Sequence, residues 1–419
     1  MPAATSPGIG TSSKRYAVPG TSCQIEATAG AAIGVADVAA EDCGAAGGAG
    51  SATGVGAGAA SRAGAPQLPS ASSAAYHRAV RMRSIVVFVG SCIVFALAAC
   101  RTSSGSALER HESTRVRMGV PARIVVYAAS DELARAAVER AYARIAALED
   151  ACSDYRVDSE IARLAAGADG TPREISPALA SILASAQRVH AASAGAFDPA
   201  IGASTHLWRA ARDGGAFPSP DHWKSMLARG GWDKLQFDPE RRTVAPPAGL
   251  ELDFGGIAKG AAAQAALDEL RAAGCESALV GLAGDIACGK APPGKRGWHV
   301  AVDLGLAGCA TRTLVLENAC VSTSGDREQA IEHEGVRYSH LLDPRSGKPV
   351  TRRTACNVVM ALDAAADAGA LADALASAAC VLGLDEIDAL LAQFPGATAF
   401  AAELRDGALV ERELPVGDG

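Results

Sequence analysis

Leu252-Asp253-Phe254-Gly255-Gly256-Ile257-Ala258-Lys259-Gly260 reads as the end of a β-strand, a glycine turn and the first turn of a helix. The strand side extends back to Thr243, and the helix runs through Ala-rich sequence to about Ala273, with Gly274 as its stop. Glycines let a backbone approach a ligand closely, and a helix start offers N–H groups and a positive dipole end. Lys259 in the first turn opposes that dipole, so it is expected to answer an anion. The run contains neither GxxxxGK[ST] nor GxGxxG, which sets aside those two nucleotide loops. On local physics, an ordinary strand-to-helix turn with a solvated lysine fits the same residues equally well.

Outward from this stretch, helices and strands are mixed. Arg123–Ala128 is a short β-type run, and Ser130-Asp131-Glu132 opens a helix with Leu133, Ala137, Ala141, Ile145 and Leu148 at helical spacing. Ser176-Pro177 opens a second helix that stops at Gly195. Ala278–Leu282, Trp298–Val302 and Leu314–Leu316 read as strands. An Ala-rich helix covers Asp367–Val381, a shorter one follows, and an edge strand is expected near Thr398–Ala401. There is no regular βαβ alternation and no internal repeat, so the fold class is α+β: one catalytic domain over residues 116–415, with mixed sheets and packed helices.

The N-terminal quarter differs. Residues 1–76 are low-complexity Ala, Gly, Ser and Thr with few charges and almost no aromatics, a composition expected to stay disordered or to reflect a start codon placed too far upstream. In residues 77–99, Arg78, Arg81 and Arg83 precede the apolar run Ile85–Ala99, the pattern of a secretory signal too short for a comfortable membrane span. Leu97-Ala98-Ala99-Cys100 resembles a bacterial lipobox. The expectation is a lipidated Cys100, a linker over 100–115, and a protein tethered to a membrane in the bacterial envelope, facing the periplasm or the exterior. A short signal anchor that happens to contain a cysteine is the bland alternative. Beyond Cys100 the seven cysteines form no CxxC pair, which argues against a zinc site and a regular disulfide framework. The net charge of −7, with no basic stripe, excludes nucleic acid as the expected partner.

Several stretches carry chemistry. Ser322-Thr323-Ser324-Gly325-Asp326 reads as a hydroxyl-rich turn, and a hairpin-like span separates it from His340-Leu341-Leu342-Asp343-Pro344-Arg345-Ser346-Gly347. Together they concentrate donors, acceptors and one imidazole, as a site for a phosphorylated ligand would. Asp373 and Ser377 lie four apart on a helix and so share a face; a carboxylate and a hydroxyl suit Mg²⁺. A polar stripe on an Ala-rich helix is the plain alternative. Gly195-Ala196-Phe197-Asp198-Pro199 holds an Asp extended before Pro. Ser153-Asp154-Tyr155 with Asp158-Ser159-Glu160 reads as a helix cap.

The order of these stretches resembles the ApbE family, the FAD:protein FMN transferases once labelled thiamine-biosynthesis lipoproteins. Met118-Gly119, Ser153-x-Tyr155, Phe197-Asp198-Pro199, Gly255–Gly260, Gly284-Asp285-Ile286, Ser322–Asp326, His340–Gly347 and Ala372–Leu375 follow one another over roughly residues 115–400. The resemblance implies Mg²⁺-dependent cleavage of FAD: FMN passes through its phosphate to a Thr or Ser hydroxyl of a partner flavoprotein, and AMP leaves. It further implies Asp373, Ser377 and the Ala258 carbonyl as metal ligands, and Gly255, Gly256 and Lys259 along the FAD. Met118, Ser153, Tyr155 and Asp198 would line the nucleotide pocket. His340 would take the proton of the acceptor hydroxyl, and Asp343 and Arg345 would shape that loop or hold phosphate. FAD hydrolysis with water as acceptor, or flavin binding without chemistry, are the alternatives. Four positions depart from the family pattern: Ser377 replaces Thr, Gly281-Leu282-Ala283-Gly284-Asp285 replaces Asn-x-Gly-Gly-Asp, Arg327 replaces an aromatic, and Val120 replaces Thr.

Overall fold

A computed structural model describes residues 107–325 and 330–414. The signal segment, Cys100, Asp326 and Arg327 lie outside the described residues. Eight strands form one antiparallel sheet: β1 (Glu109–Arg117), β2 (Val120–Ala128), β3 (Ala278–Leu282), β4 (Asp285–Cys288), β5 (Ala319–Ser324), β6 (Arg353–Ala361), β7 (Ala397–Arg405) and β8 (Ala408–Leu414). Their order across the sheet is their order along the chain, and each neighbouring pair is antiparallel. Long excursions between strands carry the helices and the functional turns.

Strand alternation sets the two faces. Ile124, Val126, Val280, Ala287, Cys320 and Val358 point to the helical layer. Val125, Leu279, Ile286, Cys288, Val321 and Ala355 point the other way, under a hairpin of Trp298–Val302 and Arg312–Leu316. Two residues on from Cys320 and two before Ala287, the same alternation turns Ser322 and Asp285 towards the helices.

The helical layer holds α1 (Asp131–Cys152), α2 (Pro177–Ala192), α4 (Ala258–Ala272) and α5 (Ala368–Leu382), while α3 (Gly202–Arg212) packs in a separate cluster of Trp208, Ala211, Trp223 and Leu342. Ser130 caps α1 by accepting the Leu133 N–H, and Ser176 caps α2 with Pro177 at its first position, as the sequence indicated. Every residue of α5 is buried, which suits a helix that is small and apolar all round. It crosses α4 backbone to backbone: a Cβ on Gly260 would lie 2.1 Å from the Gly369 carbonyl oxygen. Gln264 of α4 seals the crossing, accepting from the Gly369 N–H at 2.7 Å and donating to the Ala366 carbonyl at 3.0 Å.

Four expectations need correction. The strand at Thr243 stops at Ala245; the Leu252–Phe254 segment is extended but joins no sheet, because its hydrogen bonds go to a loop. Asp253 N–H donates to the Pro199 carbonyl at 2.7 Å, and Gly202 N–H to the Glu251 carbonyl at 3.0 Å. Ser322-Thr323-Ser324 is the end of β5 rather than a turn. The Thr398–Ala401 strand is interior, since β8 pairs outside it. The sheet also begins earlier than the apolar pattern shows: β1 is charged and half-exposed, the composition of an edge strand.

Two substitutions test this packing in opposite directions. Gly260→Ala lowers unfolding stability by about 2–3 kcal/mol or more, because the backbone of α5 cannot yield to the new methyl. Ala283, in the β3–β4 turn, sits at φ 52°, in the left-handed region. Ala283→Gly therefore raises stability by about 0.5–1 kcal/mol, relief of backbone strain outweighing the extra chain entropy. Urea midpoints at unchanged m-values read both.

Candidate active site

The densest polar cluster lies where the starts of α4 and the middle of α5 meet the sheet. Lys259, in the first turn of α4, places Nζ 2.8 Å from Asp285 Oδ2 and 3.5 Å from Asp373 Oδ2. The Asp373 Oδ2 also accepts the Gly260 N–H at 3.0 Å. Asp285 Oδ1 accepts from Ser322 Oγ at 2.6 Å, and Ser324 Oγ lies 3.1 Å from Ser377 Oγ. Both carboxylates are almost wholly buried. Burial and the neighbouring Asp285 charge push the Asp373 carboxyl up to about 7, against the pull of Lys259. Burial opposes the charge on Lys259, yet the two carboxylates hold its ammonium well above the ordinary lysine range. Lys259 thus answers anions, as expected, but the anions are the protein's own side chains.

Asp373 and Ser377 share one face of α5 and look towards the glycine turn. A Cβ on Gly256 would lie 2.9 Å from Ser377 Oγ, so the space beside that hydroxyl is open only because residue 256 is glycine. A carboxylate and a hydroxyl beside such a cradle, at a turn that includes the Ala258 carbonyl, form an all-oxygen set that fits Mg²⁺. Among the described residues no group of three or more His, Cys, Asp or Glu side chains could hold a metal, and this set does not require one.

The Gly195–Pro199 loop connects this cluster to the His340 turn. Phe197 packs towards Gly256, its Cε2 3.4 Å from the position of a Cβ there. On the other side, Arg345 Cγ lies 3.8 Å from the position of a Cβ on Gly195. Asp198 works inside the loop: its two carboxylate oxygens accept the Ala200 N–H at 2.8 Å and the Trp232 N–H at 2.9 Å. Burial holds its carboxyl above the ordinary range despite these donors. His190, stacked on Trp232, places Nδ1 3.0 Å from the Phe197 carbonyl.

His340 is half-buried and follows a hairpin of Ile331–His333 and Val336–Tyr338, the span the sequence indicated. The Trp208 indole N–H, fully buried on α3, donates to the carbonyl of Ser339 at 2.8 Å and so fixes the residue before His340. Asp343 and Arg345 grip one another in a bidentate pair at 2.9 Å, and Asp343 Oδ1 also accepts the Arg345 N–H at 3.0 Å. These bonds hold the Asp343–Arg345 turn together.

Met118 turns the β1–β2 hairpin at φ 51° and gives its N–H to Glu149 at 3.0 Å. Ser153 ends α1, and Ser159 caps the following Glu160–Ala166 helix. Tyr155, between them, is 77% exposed, and the Arg209 guanidinium lies 4.4 Å from its ring centroid. Arg209 in α3 pairs with Asp154 and, at 3.3 Å, with Asp253, whose other oxygen accepts the Gly255 N–H at 2.8 Å. One turn earlier, His206 reaches Asp154 at 3.5 Å and Glu251 at 2.5 Å, and Glu251 also takes Arg229 at 2.6 Å.

This order of parts has known counterparts. The family model described as the ApbE family matches residues 118–401. The chain belongs to the ApbE family. It is 32% identical to the FAD:protein FMN transferase of Treponema pallidum, across 78% of this chain and 91% of that one. Against the FAD:protein FMN transferase of Chlamydia trachomatis it is 29% identical, across 68% and 86%. The apo flavinyl transferase ApbE of Pseudomonas stutzeri superposes with a TM-score of 0.64 at 26% identity, covering 74% of this chain and 95% of that one. For this ApbE protein the mixed helix-and-sheet expectation therefore stands.

Asp285 and Asp253 stand in the quoted motifs but receive no role there, and Arg209 is not singled out in the sequence at all. Asp285 opens β4 directly after a tight turn, where an aspartate is unremarkable; only strand alternation, which pairs it with Ser322, turns it inward. Asp253 and Arg209 are 44 residues apart and carry no joint signal.

The ion cluster on α3 predicts a pH effect. Hydrogen bonding to Asp154, then Glu251, raises the His206 pKa above its ordinary 6.5, against burial. That stabilisation is fully present below about pH 6.5 and is lost as pH rises through the higher folded value. The gap in urea midpoint between the protein and His206→Gln should therefore be widest below about pH 6.5 and shrink as pH rises above it. A gap that does not change with pH would remove His206 from the linkage.

Proposed function

We propose that this ApbE protein is an FAD:protein FMN transferase that uses Mg²⁺ and acts on a partner flavoprotein through a Thr or Ser hydroxyl. The observation that carries the reading is the convergence of Lys259, Asp373, Ser377 and the Gly255-Gly256 turn, in a chain whose relatives bear that name. The donor set, all oxygen and one lysine, suits a pyrophosphate better than a carbonyl or a thiol substrate.

In this reading the acceptor hydroxyl oxygen attacks the phosphorus on the FMN side of FAD. The bridging oxygen leaves with AMP, and the hydroxyl proton passes to His340. An imidazole near neutral pH is suited to that transfer, and the Trp208–Ser339 bond holds its backbone in place. Asp373, Ser377 and the Ala258 carbonyl would hold Mg²⁺, which when bound neutralises charge on the pyrophosphate. The buried Asp373 carboxyl, held up near 7, favours its ionised form once a cation sits beside it. The glycine turn leaves room for the phosphates, and the Asp253–Gly255 bond fixes its shape. Met118, Ser153, Tyr155 and Asp198 belong to the nucleotide side, Asp198 by bracing the loop from within. The pattern ending at Cys100 supports a lipid anchor in the bacterial envelope, which would present this site to exported acceptors. Among the described residues no helix is long and apolar enough to cross a membrane.

Incubating the protein with FAD, Mg²⁺ and a peptide carrying an acceptor Thr tests the reading: a fluorescent peptide supports transfer. Free FMN and AMP without labelled peptide would assign hydrolysis instead, and unchanged FAD would leave binding alone. His340→Ala should lower transfer by about 10²–10⁴-fold with FAD binding retained; normal labelling by that variant would exclude His340 as the base. Asp373→Ala should abolish the rise in melting temperature that Mg²⁺ gives, and an unchanged rise would remove it as a ligand.

A further inference from the structure

We infer that Arg209 is a positioning residue for FAD: its guanidinium backs the Tyr155 ring as a stacking shelf and ties that shelf to the Asp253–Gly255 turn. The inference rests on the reading above, in which Tyr155 lines the nucleotide pocket.

Tyr155 stands on the loop leaving α1 with most of its ring in solvent, an uncommon place for a large aromatic side chain. One face is covered, because Arg209 lies 4.4 Å from its centroid. The guanidinium is itself only 18% exposed and is clamped between Asp154, in the tyrosine's own loop, and Asp253, at the glycine turn. A planar cation fixed at both ends is a rigid backing, and the uncovered face of the ring is free to take a flat heteroaromatic ring. FAD offers two, isoalloxazine and adenine.

The other contacts of this clamp bear on the phosphate end. Asp253 divides its oxygens between Arg209 and the Gly255 N–H, so the guanidinium and the glycine turn share one carboxylate. Asp154 is held below the ordinary carboxylate range: burial would raise it, but His206 and Arg209 outweigh burial. Removing Arg209 therefore releases the shelf, unbalances two enclosed carboxylates and loosens the turn together. Lysine replaces the charge but not the plane, since an ammonium neither stacks flat nor pairs with two carboxylates in a fork. Charge and shelf are thus separable by experiment.

Arg209→Met, Arg209→Lys, Tyr155→Leu and the Arg209→Met/Tyr155→Leu double variant of the full chain are compared. The measurements are KM and kcat for FAD in peptide labelling, affinity for FMN and for AMP from titration calorimetry, and thermal midpoint. Arg209→Met should raise the KM for FAD about tenfold with kcat within about threefold. Arg209→Lys should recover the thermal midpoint while its KM stays raised. Tyr155→Leu should raise KM similarly, with the double variant adding little. The fragment that loses affinity, FMN or AMP, identifies the ring that stacks. Full recovery of KM by Arg209→Lys would overturn the inference, leaving Arg209 a structural charge. So would a raised KM in Tyr155→Leu alongside an unchanged one in Arg209→Met. An unchanged KM in Tyr155→Leu would instead remove Tyr155 from the pocket, and the inference with it. If Arg209→Met does not fold, Arg209→Lys alone decides by whether its KM is raised.

Discussion

The contact on which the site depends is the Lys259 ammonium between Asp285 and Asp373. Two enclosed carboxylates repel each other and lose hydration, and only a close cation makes the arrangement tenable. The lysine comes from α4, one aspartate from α5 and the other from the sheet, so the ion group pins two helices and the sheet at one point. It can form because Gly260 and Gly369 let the two helices touch through their backbones. A side chain at either position would separate the carriers of the charges. With both aspartates ionised the group carries one net negative charge, and burial, by pushing the Asp373 carboxyl up to about 7, opposes that charge. Packing and chemistry are therefore set by the same crossing.

A second constraint is α3, which serves as a splint. Its buried Trp208 holds the backbone before His340, while Arg209 and His206 hold the Asp154 loop and the Glu251–Asp253 segment. The Leu252–Phe254 run is thus extended without belonging to a sheet: its backbone partners are the Pro199–Gly202 segment that leads into α3. One short helix sets the spacing between the His340 turn and the glycine turn. The Gly195–Phe197 loop, lying between Arg345 and Gly256, closes the same circuit from the other side.

Much of this was legible in the sequence, for identifiable reasons. The capped helices at Ser130 and Ser176 announce themselves because the cap is local chemistry, and the Ala258–Ala272 and Ala368–Leu382 helices because their composition is uniform. Asp373 and Ser377 follow from helical spacing alone. The charged strand Glu109–Arg117 lacks the apolar alternation that marks a strand, since its partner β2 supplies the buried side. Ser322–Ser324 resembles a turn in residue type and becomes a strand because β4 and β6 pair with it on both sides. Asp285 and Arg209 owe their roles to neighbours distant in sequence, and no local pattern encodes such a pairing.

The departures from the family pattern also acquire a physical meaning. Where the family usually carries threonine, Ser377 has lost a methyl that would restrict its χ1 rotation. The hydroxyl of Ser324 stands 3.1 Å away and can hold the Ser377 hydroxyl in one orientation by a hydrogen bond instead. Ser324 is itself fixed, because it ends a strand paired with β6 and its carbonyl accepts from the Cys380 thiol at 3.3 Å. In this chain the orientation of the Ser377 hydroxyl therefore rests on a contact between α5 and the sheet. That contact depends on the register of β5 against β6, so in this chain the geometry beside Gly256 is tied to the sheet as well as to the helix that carries Ser377.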